Sequence, residues 1–188
     1  MEQKLEISAE VTPNPNTLKF NLNRTLLPGG SLNYTDKAKA KGARLPEMLF
    51  AVENVLGVMV GSNFITVTKR PESDWAALVA PVTERIKEIL AIDAPLFPED
   101  AAMIAASSGG AGTGDIETKI KQILDSEIRP AVAMDGGDIT FYGYRDGIVT
   151  LHLQGSCSSC PSSIMTLKMG VENRLKASIP EVREVVQI

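Results

Sequence analysis

The stretch "DGIVTLHLQGSCSSCPSSIMTLKMG", residues 146–170, decides how the second half of this chain folds. Asp146 and Gly147 form the dipeptide best suited to a tight hairpin, whose two central positions both need positive φ. Val149, Leu151 and Leu153 then alternate with Thr150, His152 and Gln154, which predicts a strand with one apolar face. A polar turn follows, holding Cys157 and Cys160, the only two cysteines in 188 residues. Pro161 suits the first position of a helix, and Ile164, Leu167, Val171 and Leu175 recur at the spacing of one buried stripe. The thiols therefore stand at a helix N-terminus. Free N–H groups and the positive end of the helix dipole favour the thiolate there, and thiolates bind metal and attack disulfides.

Working outward, Asp115 is a candidate N-cap for a helix carrying Ile116, Ile120, Ile123, Leu124 and Ile128. "DGGD" at 135–138 turns the chain into the first strand of the hairpin, and "EVREVVQI" at 181–188 closes the chain as a strand. The order is helix, strand, strand, helix, strand. In the first half, Leu5, Ile7, Ala9 and Val11 alternate with polar residues, as do Leu18, Phe20 and Leu22, and "TPNPN" at 12–16 turns between them. "LPEMLFAVENV" predicts a short helix, and Val58–Val60 and Phe64–Lys69 predict two strands around a turn at Gly61, Ser62 and Asn63. Trp75, Leu78, Val82, Ile86 and Ile89 then mark a helix, which Pro81 should kink or delay. Residues 93–114 break the periodicity and end in Gly, Ala and Ser, the composition of a flexible linker. The prediction is α+β: two small α+β domains at 1–92 and 115–188, joined by a flexible linker at 93–114.

Composition removes several function classes. The net charge is −4, and the densest basic stretch, Lys37 to Arg44, lacks aromatics, so no nucleic-acid surface is expected. No apolar run approaches the roughly 18 residues of a membrane span, and "MEQKLEIS" has neither a signal-peptide core nor a transit-peptide pattern. The expected location is cytoplasmic. Two cysteines are too few for a secreted disulfide framework, which leaves metal binding or redox chemistry.

Structural zinc and iron–sulfur clusters usually take four protein donors, whereas one CxxC supplies two. His152, the single histidine, reads as a residue of the strand's polar face, and would make only three. A two-fold axis beside the turn would complete the shell with a second copy's thiolates, at a site expected to be exposed and readily dismantled. A zinc-bridged dimer fits the same count. A thiol–disulfide oxidoreductase fits the local motif, but only 28 residues follow Cys160, too few for a thioredoxin-like remainder. Burial of two incidental small hydrophobes suits a polar Gly/Ser turn poorly. Asp135 and Asp138 read as turn residues bonding to backbone rather than cation ligands. Phe141, Tyr142 and Tyr144 read as a sheet face, and Ser158, Ser159, Ser162 and Ser163, lacking a base, as turn formers and helix-start donors.

The run "IRPAVAMDGGDITFYGYRDGIVTLHLQGSCSSCPSSIMTLKMGVENRLKASIPEV" resembles the C-terminal domain of NifU and Nfu-type iron–sulfur scaffold proteins. "TPNPNTLKF" and "GVMVGSNFITVTK" are similar to the N-terminal domain of eukaryotic-type Nfu proteins, so the resemblance omits chiefly the linker. It implies a non-enzymatic carrier that binds a [4Fe-4S] cluster, or a [2Fe-2S] cluster, bridged between two chains through Cys157 and Cys160. The implied partners are upstream assembly proteins and apo iron–sulfur clients, with a homodimer when loaded. Mitochondrial members carry a targeting segment, so this chain is expected in a bacterial cytoplasm or, as a processed form, in the mitochondrial matrix. The N-terminal half, without cysteine, is expected to recognise partners.

Overall fold

The computed structural model describes residues 4–101, 103, 105, 114–158 and 161–188, with backbone alone at 161–164. It is α+β, with one sheet in each half. The first sheet contains β1 (Ile7–Val11), β2 (Thr17–Leu22), β3 (Leu32–Tyr34), β4 (Val55–Val60) and β5 (Phe64–Lys69). Its order is β1-β2-β5-β4-β3, and every neighbouring pair is antiparallel. The predicted hairpin around "TPNPN" forms, pairing Val11 with Leu18. β3 has no counterpart in the sequence reading, because three residues are too few to show a period.

Alternation puts Phe20, Val58, Val60, Ile65 and Val67 in one core with α1 (Arg44–Leu49) and α2 (Trp75–Ala91). α2 begins at Trp75, six residues before Pro81, because the Asp74 carboxylate accepts the Ala76 N–H at 3.0 Å and caps the helix. Residues from 93 onward depart from the predicted linker. Leu96 and Phe97 pack against the first core, and Ala101 and Ala105 are buried in it, because these apolar side chains complete its cover. The Gly- and Ser-rich run at 106–113 lies outside the described residues.

The second half has the predicted order. α3 (Asp115–Ile123) passes through a π-turn (Leu124–Ile128) into α4 (Arg129–Met134). Pro130 has no N–H to return and its ring crowds the preceding turn, so the widened turn lets the helix continue past it. β6 (Gly137–Arg145) and β7 (Ile148–Gly155) form the hairpin, with Asp146 at φ 52° and Gly147 at φ 84°. α5 (Pro161–Ser178) then returns the chain to β8 (Glu184–Gln187), parallel to β7. Val149, Leu151 and Leu153 share a second core with Ile120, Leu124, Val171 and Leu175.

Candidate functional site

β7 delivers the chain into a 3-10 turn, Ser156–Ser158, and α5 starts at Pro161. Hydrogen bonds within its own half help to hold that turn. Ser156 N donates to Gly136 O at 3.2 Å, Ser158 Oγ donates to Gly155 O at 2.8 Å, and Ser156 Oγ donates to Asp135 O. The "DGGD" turn and the cysteine turn are thus laced to each other. Cys157 is 3 % exposed and belongs to the second core. A Cβ on Gly137 would fall 2.6 Å from Cys157 Sγ and 3.0 Å from Gln154 O, so glycine is required for the sulfur to lie against the start of β6. The exposure expected from the sequence is therefore not found at Cys157. Cys160 and Ser159 lie outside the described residues, and so do the side chains of Ser162 and Ser163.

A cavity of about 620 Å³ opens beside Cys157. Its walls include Ile128 and Ala131, Leu167 and Val171 of α5, and Pro13 of the first half. At its rim Arg174 Nε and Nη2 each donate to Glu127 at 2.6 Å, tying α5 to the π-turn. That paired hydrogen bond lowers the Glu127 pKa and raises that of Arg174.

Asp138 differs from its sequence reading as a simple turn former. It does accept its neighbour's N–H, Ile139 N, at 2.8 Å, but its main partner is Arg129, whose Nε and Nη2 donate to its two oxygens at 3.0 and 2.9 Å. Hydrogen bonding to Asp138 raises the Arg129 pKa against the opposing effect of burial. Ser31 Oγ, from the first half, donates to Asp138 Oδ2 at 2.5 Å. Sequence reasoning missed Arg129, Ser31 and Asn14; Arg129 sits nine residues from Asp138, and Ser31 lies 107 residues away, so no local period joins them.

His152 stays on the polar face of β7, where Nδ1 lies 3.2 Å from Gln154 Nε2. Phe141 is core, with Lys121 Nζ 5.4 Å from its ring centroid. Tyr142 is exposed beside a bulge, and Tyr144 donates to Glu181 O at 3.3 Å. Among the described residues no group of three or more His, Cys, Asp and Glu gathers as a metal site, and no helix is long and apolar enough to cross a membrane.

An α-β-β-α-β unit with a CxxC turn between its second strand and second helix defines the NifU-like class, and residues 120–186 match the family described as "NifU-like domain". Residues 7–93 match "Scaffold protein Nfu/NifU N terminal". The chain is 42 % identical to the human "NFU1 iron-sulfur cluster scaffold homolog, mitochondrial" over 183 residues, covering 97 % of this chain and 71 % of that protein. It is 41 % identical to the protein of the same name from Drosophila ananassae, covering 97 % of this chain and 64 % of the relative. A solved structure, protein SAV1430 from Staphylococcus aureus, is 27 % identical over 45 % of this chain and 99 % of that one, with a TM-score of 0.39. The chain belongs to the Nfu/NifU iron–sulfur cluster scaffold family, a family of scaffolds and not of enzymes.

Proposed function

We propose that this chain carries an iron–sulfur cluster as cargo, held by Cys157 and Cys160, and passes it to apo-proteins. The observation that carries the reading is the family match over both halves combined with the CxxC spacing of the only two cysteines in the sequence, immediately before Pro161. Two thiolates fill half of a cluster's usual ligand set, so the cargo is a [4Fe-4S] cluster bridged between two copies of the chain, with [2Fe-2S] as the smaller form. Incoming thiolates of an acceptor displace the Cys157 and Cys160 thiolates from iron one at a time and take the intact cluster with them. The division of labour is part of the proposal: residues 1–92 recognise assembly proteins and clients, 93–114 connect, and 115–188 hold the cluster, in the bacterial cytoplasm or the mitochondrial matrix.

Anaerobic reconstitution with iron and sulfide tests it. About two irons per chain are expected for a shared four-iron cluster, and about one for a two-iron cluster. Cys157→Ser and Cys160→Ser should each reduce bound iron to background. Uptake of zinc alone, or a normal cluster in Cys157→Ser, contradicts the reading. Turnover of a disulfide substrate such as insulin by the metal-free monomer would favour the oxidoreductase alternative instead.

A further inference from the structure

The first sheet buries polar side chains on the face turned away from its own helices. Lys19, Thr66 and Met59 stand opposite one another across β2, β5 and β4, forming a row through the middle of that face. All three are buried, Thr66 and Met59 at 1 % exposure each. What covers them is the pair of turns around Cys157. Thr66 Oγ1 donates to Gly136 O at 2.8 Å, and Lys19 Nζ donates to Met134 O, at the C-terminal end of α4, at 3.4 Å. A Cβ on Gly155 would fall 2.7 Å from Met59 Sδ, and one on Gly136 would fall 3.1 Å from Thr12 Cγ2, so both glycines admit the sheet where a side chain would hold it off. The "TPNPN" turn reaches the cysteine turn itself: Asn14 Nδ2 donates to Ser156 O at 3.1 Å, and Pro13 lines the cavity of Cys157. Ser31 adds its bond to Asp138.

We propose that this sheet face and the "TPNPN" turn form a releasable cover for the cysteine turn, closed in the single chain, and that cluster loading requires the two halves to part. The inference rests on the reading of Cys157 as a cluster ligand. With the cover closed, Cys157 is buried, and the first half occupies one side of the turn that a second copy's thiolates must approach. The chemistry of the cover suits release. Its hydrogen bonds run to three backbone carbonyls, the Asp138 carboxylate and the Gln154 amide oxygen, all of which water replaces on opening at small net cost.

The test uses the full metal-free chain and needs no cluster. Asn14→Asp keeps the side-chain oxygen that accepts Asn16 N at 3.0 Å, so the turn survives, but faces Ser156 O with a carboxylate oxygen instead of a donor. Thr66→Val removes the hydroxyl and keeps the shape. In the double variant, alkylation of Cys157 by iodoacetamide, read by peptide mass spectrometry, is expected to accelerate about tenfold. Trp75, whose Nε1 donates to Pro15 O at 3.0 Å, reports by fluorescence that the turn is intact. If the turn is lost, Ser31→Ala with Thr66→Val replaces that pair and carries the same expectation, since neither touches the turn. A rate within about twofold of the parent in a folded variant overturns the cover, because Cys157 would then owe its burial to its own half alone. Accelerated alkylation in a protein that takes up no iron overturns the ligand reading and leaves the cover standing.

Discussion

The first sheet has a helix-covered apolar face and a second face that is polar yet buried; the second sheet has a helix-covered apolar face and a second face, Thr150, His152 and Gln154, that is half-exposed. The two halves place their interactions differently. In the first half the buried row of Lys19, Thr66 and Met59 meets the second half, through the Met134 and Gly136 carbonyls and Gly155, while Lys19 Nζ also lies 4.9 Å from the Phe64 ring centroid of its own sheet. In the second half the same geometry is subordinate to one turn, whose cysteine is pressed against Gly137 and laced to "DGGD". The half without a thiol supplies the proposed cover, and the half with the thiols supplies a small core and the cysteine turn.

Damage to one core should leave the other largely intact. Leu175→Ala removes a fully buried side chain from the second core and should cost about 3 kcal/mol in urea unfolding followed by circular dichroism. Trp75 packs against the first core, so its fluorescence midpoint should move far less; an equal shift would mean that the halves unfold as one unit. Arg129→Met acts at the junction. It strips two donors from Asp138, whose side chain is 10 % exposed, and leaves a buried carboxylate with Ser31 and Ile139 N, for a loss of about 2–3 kcal/mol that both probes should register. Gly147→Ala is the mildest. A φ of 84° and a Cβ 2.8 Å from Arg183 Cγ should cost about 1 kcal/mol by thermal unfolding, confined to the second half.

Much of this architecture was legible in the residues. Periodicity located the hairpins and the helices because each has one apolar face, and Asp146–Gly147 fixed the second hairpin's turn through its demand for positive φ. Pro161 marked the start of α5. What stayed illegible were features without a local period. β3 is too short, the π-turn compensates for Pro130 in a way no propensity encodes, and Asp74 outweighs Pro81 through a single cap. The site divides the same way. The CxxC motif announces chemistry by itself, whereas the sulfur of Cys157 lying against Gly137, and Asn14 reaching Ser156 from 142 positions away, have no local signal. "TPNPN" reads as a turn and is one; that its Asn14 reaches Ser156 is a property of the tertiary structure.

The proposed carrier depends most on the sharing of one cluster by two chains. Native mass spectrometry of the anaerobically reconstituted protein measures this directly: the loaded species should weigh two chains plus one cluster, and removing the iron with a chelator should return single chains. A loaded species of one chain plus one complete cluster would contradict the account.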